Sequence, residues 1–159
     1  MQLGTLKDYV GRSVDLYALA DAPGRSDGLS SQVIVSPSNQ GQLIAGIRKL
    51  FQRFVVELLT EQGSLTYKAD RGTLFIPKIR IGSIRTTQEL YAAFVDAEMD
   101  IRVNLQLEEL QTDPPDERYK SASLEAASLF GDTVTMTIKI TSQAGTELTV
   151  IYPLNVNIT

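Results

Sequence analysis

From Thr133 to Leu154 the chain alternates apolar and polar residues with a period of two, interrupted by one glycine-bearing turn. Val134, Met136, Ile138 and Ile140 alternate with Thr133, Thr135, Thr137 and Lys139. Ser142-Gln143-Ala144-Gly145 then turns the chain into Leu148, Val150, Tyr152 and Leu154. Upstream, Tyr119 to Leu129 reads as a strand with an irregularity at Ala126-Ala127, and Phe130-Gly131-Asp132 turns it into the next. Successive strand side chains point to opposite faces, so this pattern predicts a three-strand antiparallel meander with one apolar face. That face needs a cover.

Two amphipathic segments can supply it. Leu43, Ile44, Ile47, Leu50, Phe51, Phe54, Val55, Leu58 and Leu59 recur at three- and four-residue steps and predict a helix over Leu43 to Leu59. Asn39 with Gln42 resembles a capping box at its start, and Gly63 can provide a left-handed cap after it. Thr86 opens a second helix with Glu89 as capping partner, and Leu90, Phe94, Ala97, Ile101 and Leu105 form its stripe. Helix propensity carries it to about Leu110, and Pro114-Pro115 closes it. Between the helices, Ser64 to Lys68 reads as a short strand and Asp70-Arg71-Gly72-Thr73 as a tight turn. Pro77 predicts an extended or irregular stretch over Lys78 to Ile84.

The resulting fold class is α+β: two amphipathic helices packed on a small antiparallel sheet with a C-terminal three-strand meander. Residues 41–159 form that domain. Residues 1–40 read as an irregular N-terminal arm with short strands at Ser13 to Tyr17 and Gln32 to Val35, separated by the turn-rich run Asp21 to Gly28. The run is either an exposed loop or an arm that orders against a neighbouring subunit.

Residue usage narrows the chemistry. The 159 residues contain neither cysteine nor histidine. Disulfide scaffolds, thiolate zinc sites and nucleophiles activated by histidine are thereby excluded. A net charge of −4 disfavours a surface that neutralises phosphates over a long stretch, so nucleic acid is not an expected partner. No stretch approaches the length of apolar residues needed to cross a bilayer, and the N-terminus lacks the apolar core of a signal peptide. Glycine-rich phosphate loops and aspartate-rich calcium loops are absent.

The remaining catalytic option is a carboxylate pair drawn from Glu61, Asp70, Glu108, Glu109, Asp113, Asp116 and Glu117. None sits at a strand end beside an aromatic platform, the chain has no tryptophan, and Glu108 and Glu109 read as solvated helix-surface charges. Asp96, Glu98 and Asp100 point in different directions around one helix and do not converge on a metal. No catalytic centre, metal site or cofactor is expected. Asp116-Glu117-Arg118 is the more informative cluster: a charged trio between Pro114-Pro115 and the first meander strand, where arginine offers a fork for a partner carboxylate. Its simpler reading is a solvated loop.

Taken in order, these elements resemble the small baseplate wedge proteins of contractile phage tails, also called sheath initiators, with relatives in type VI secretion baseplates. The resemblance runs from about Gln42 to Pro153. It comprises the helix ending Leu58-Leu59-Thr60-Glu61-Gln62-Gly63, the turn Asp70-Arg71-Gly72-Thr73-Leu74-Phe75, which is similar to the family's Pro-Asp-Phe-Gly turn, then a second helix and a meander ending Val150-Ile151-Tyr152-Pro153. The family's Glu-Pro-Arg tripeptide before the meander is replaced by Asp116-Glu117-Arg118, with the prolines moved upstream, and Gly63-Ser64-Leu65 stands where Gly-Glu-Arg is common.

The resemblance implies a virion component without enzymatic activity, assembled in the host cytoplasm in multiple copies around the tail tube. Its partners would be other baseplate wedge proteins and tail sheath subunits, the latter lending strands to an open sheet edge. Asp116, Glu117, Arg118, Asp70, Arg71 and Gly72 are the expected partner-binding residues. A head-completion or tail-terminator adaptor is the alternative, and a peptidoglycan hydrolase a more distant one.

Overall fold

The computed structural model describes residues 15–16, 43–131 and 133–155. Its elements run β1 (Asp15–Leu16), β2 (Leu43–Ile44), α1 (Ile47–Leu59), α2 (Phe75–Arg80), α3 (Thr87–Glu108), β3 (Tyr119–Phe130), β4 (Thr133–Ser142) and β5 (Glu147–Asn155). The last three form an antiparallel sheet in the order β3-β4-β5, and β1 pairs with β2 in a separate two-strand ribbon. The α+β class and the C-terminal meander are as the alternation predicts.

Val134, Met136, Ile138, Ile140 and Tyr152 are buried from the sheet, as are Leu90, Phe94, Ala97, Ile101 and Leu105 from α3. Phe54 of α1 joins the layers. Its ring stacks on Tyr119 at 5.9 Å with 10° between planes, and lies 6.0 Å from Phe94. Helices therefore cover one face of the sheet, while the other presents Thr135, Thr137 and Lys139.

The irregularity in β3 is a change of register. β3 has 12 residues against 10 in β4, and the pairing shifts between Tyr119 and Ser121 and again between Leu124 and Ala126. Each bulge places two residues opposite one and inverts the inward parity. Ala122 and Leu124 pack on the core before the second bulge, and Ala127 and Leu129 after it.

Three local expectations are corrected. The first helix starts at Ile47, four residues later than its periodicity indicates. Leu43 and Ile44 pair with Leu16 and Asp15, and Gly46 at φ 63 turns the chain from ribbon into helix; Asn39 and Gln42 lie outside the described residues. Ser64 to Lys68 is not a strand: Gln62 N donates to Thr73 O (3.0 Å) and Thr73 N to Thr60 O (2.8 Å), closing a loop that gives its interior no strand partner. Phe75–Arg80 is a short helix despite Pro77, which occupies the first turn, where an amide has no intrahelical acceptor. α3 ends at Glu108, within two residues of the expected Leu110. The predicted turn Asp21 to Gly28 and strand Gln32 to Val35 lie outside the described residues, as does Asp132. Among the described residues no helix is long and apolar enough to cross a membrane.

Candidate functional site

The residues entering β3 are held by carboxylates. Glu117 is buried rather than solvated. Its Oε1 accepts from Gly46 N (2.9 Å) and its Oε2 from Lys49 Nζ (2.9 Å). α1 has no side-chain cap of its own, so Glu117 serves as a distant anionic cap at the positive end of the helix. Glu109, at the C-terminal end of α3, accepts from Tyr119 N (2.6 Å) with Arg53 Nη1 3.8 Å away. Burial pushes the Glu109 carboxyl above its ordinary value, against the Tyr119 amide and the charges of Arg53 and Arg118. Glu98, buried on α3, accepts from Tyr119 Oη (2.7 Å), Ala122 N (3.3 Å) and Nε and Nη2 of Arg102. Desolvation, followed by the Glu98 contact, raises the Tyr119 phenol well above its usual range.

Of the predicted partner-binding residues, Asp116, Glu117 and Arg118 thus sit against the domain itself. The β4–β5 turn docks on the same segment: Ala144 N donates to Pro115 O (3.0 Å) and Gln143 N to Arg118 O (2.9 Å). Arg118 is half-buried, with Nε enclosed and lacking a hydrogen-bond partner among the described residues. Neither a solvated loop nor a freely presented trio describes this segment, because Glu117 points inward.

Asp70, Arg71 and Gly72 are a separate cluster. Arg71 bridges Glu57 and Glu108, Lys68 joins Glu108 at 2.9 Å, and Gly72 N donates to Glu57 Oε2 (3.3 Å). Glu108 is consequently ion-paired rather than simply solvated, and Glu109 is half-buried. Desolvation raises the Glu108 carboxyl, but the Lys68 hydrogen bond and the Arg71 and Lys68 charges outweigh it and lower its pKa. Asp70 is exposed. Among the described residues no group of three or more acidic side chains could hold a metal ion.

The edges of the sheet differ. β3 carries both bulges, and its outward amides at Tyr119 and Ala122 are taken by Glu109 and Glu98. β5 pairs with β4 through nine consecutive residue pairs without a register shift. Ser142 N donates to Thr146 O (2.9 Å), which makes that pair hydrogen-bonded, and the state alternates along an antiparallel ladder. Leu148, Val150, Tyr152 and Leu154 therefore bond to β4, while Thr149 and Ile151 direct their amides outward, where no strand lies among the described residues. Pro153 falls on the outward set, consistent with the restriction of proline to edges. The threonine-rich strand β4 is central, so the regular free edge belongs to β5, and parity along the ladder is the signal that finds it.

Comparison with family models, with curated proteins and with solved structures returned no match.

Proposed function

We propose that this chain is a structural subunit of a contractile-tail baseplate, a wedge protein or sheath initiator, which joins wedge proteins to the first sheath ring by receiving an extended arm on β5. One observation carries the reading: β5 is a regular nine-residue edge with the Thr149 and Ile151 amides directed outward, on a sheet whose opposite edge is bulged and partly capped. Main-chain pairing along such an edge supplies affinity, and the alternating outer side chains supply selectivity. The order of helix, turn, helix and meander supports the same reading. Glu98, Glu109 and Glu117 would hold the sheet rigid under an axial load, because they tie the start of β3 to both long helices.

Cryo-electron microscopy of assembled tails containing this chain tests the proposal. The expected result is a strand of a sheath subunit hydrogen-bonded alongside Glu147–Asn155. Density for the chain at the head–tail junction would instead favour an adaptor, and an unpaired β5 within an assembled baseplate would overturn the augmentation mechanism.

A further inference from the structure

α3 carries two apolar stripes. The inner one, Leu90-Phe94-Ala97-Ile101-Leu105, is buried. Val95, Met99, Val103 and Leu107 recur at four-residue steps and are 56%, 60%, 57% and 79% exposed. At about 100° per residue the two stripes lie about 180° apart. The outer stripe is therefore not an overflow of the core face. It spans about 18 Å of helix axis at 1.5 Å per residue, which matches about three turns of a second helix.

The stripe runs into a cleft of about 270 Å³ between α2 and α3, lined by Leu74, Phe75, Lys78, Met99, Asp96 and Asp100 among others. Leu74 is half exposed across the cleft from Met99. Of the charges bordering this surface, Lys78 bonds Asp96 at 2.8 Å and Arg102 bonds Glu98. Asp100 is exposed and has no ion-pair or hydrogen-bond partner among the described residues.

We infer that the Val95-Met99-Val103-Leu107 face is a docking surface for an amphipathic helix of another protein, seated with its apolar ridge on the stripe and a lysine or arginine over Asp100. Ridges at four-residue spacing are the units that interdigitate when helices pack, and the cleft beside Met99 accepts a side chain from the incoming ridge. Charge selects the occupant. Asp96 and Asp100, about one turn apart, share one flank of the stripe, which corrects the expectation that they diverge. Lys78 neutralises Asp96, so Asp100 carries the unpaired charge of that flank. In the antiparallel crossing of two identical helices, like flanks face each other, so a second copy would bring acid against acid. An anionic membrane surface is disfavoured for the same reason. The inference stands apart from the baseplate reading, because it uses neither β5 nor the resemblance.

The test uses two fluorescein-labelled amphipathic peptides with leucines at three- and four-residue spacing, one carrying lysines on its polar face and the other glutamates. Fluorescence anisotropy is expected to show the Leu/Lys peptide binding the wild-type chain and the Leu/Glu peptide not. Met99→Asp and Val103→Asp should each weaken binding by about tenfold or more, the effect of removing a central interface anchor. Asp100→Lys should shift the preference towards the Leu/Glu peptide. Phe130→Asp, which alters an exposed apolar residue at the β3–β4 turn, should leave binding unchanged. Thermal melts by circular dichroism verify that the variants are folded, which is expected because each replaced side chain is exposed. Equal binding of both peptides, or unchanged binding by a folded Val103→Asp chain, would overturn the inference. A wild-type dimer in sedimentation velocity that Val103→Asp dissociates would overturn it in favour of a second copy.

Discussion

Gly72 shows how much one position depends on its surroundings. Its φ is +85°, and a Cβ there would lie 2.4 Å from Thr60 O. Gly63 has nearly the same backbone, φ +81°, with nothing within 4 Å of its Cβ position. Gly63→Ala should cost about 1 kcal/mol, the strain of the left-handed region alone. Gly72→Ala adds a collision with backbone and should cost about 3 kcal/mol. Urea denaturation of both variants separates the two contributions, and equal losses would exclude the collision. Glu117 is the corresponding case among charged residues. Glu117→Ala leaves Lys49 Nζ and the Gly46 amide without their carboxylate and should cost about 3 kcal/mol in the same assay. A change within experimental error would mean that the carboxylate does not cap α1. Glu108 gives a pH dependence. Its pKa is lowered in the fold, so its stabilising contribution is complete above the ordinary value of 4.5 and is lost as pH falls through the folded value. The stability gap between wild type and Glu108→Gln should therefore be open at neutral pH and narrow on acidification, as followed by urea midpoints.

Among the elements, α3 and β5 were legible to different degrees. The Thr86–Glu89 capping box forms as its spacing indicates, with Glu89 N bonded to Thr86 Oγ1 at 3.2 Å and Thr86 N to Glu89 Oε2 at 2.9 Å. Thr86→Ala should lower stability by about 1 kcal/mol without changing the fold, measurable by thermal denaturation. The outer stripe of α3 is present in the sequence as Val95-Met99-Val103-Leu107, but periodicity alone does not say which of two apolar stripes faces the core. Its exposure could only be read once α1, α2 and the sheet had been placed on the other side. In β5, ladder parity predicts that Thr149→Pro removes only an outward amide and leaves the meander folded, whereas Val150→Pro breaks a bond to β4 and costs about 3 kcal/mol or more. Circular dichroism distinguishes the pair, and the opposite order would mean that the outward set is misassigned.

For the whole molecule, alternation in β4 and β5, the inner stripe of α3 and its N-terminal cap were determined by the sequence alone, because periodicity and capping involve residues a few positions apart. The tertiary structure decided the rest. Whether Leu43-Ile44 became ribbon or helix depended on pairing with Asp15-Leu16, far away in the chain. Whether Glu117 faced solvent depended on Gly46 and Lys49, about seventy residues distant. Periodicity thus extends the first helix past its true start, and Asp116-Glu117-Arg118 is more enclosed than its charge indicates. The choice between β3 and β5 as the free edge likewise depended on carboxylates from α3 reaching the amides of Tyr119 and Ala122. Local pattern specifies what an element is; desolvation and hydrogen-bond partners supplied across the chain decide which of its groups remain available to bind something else.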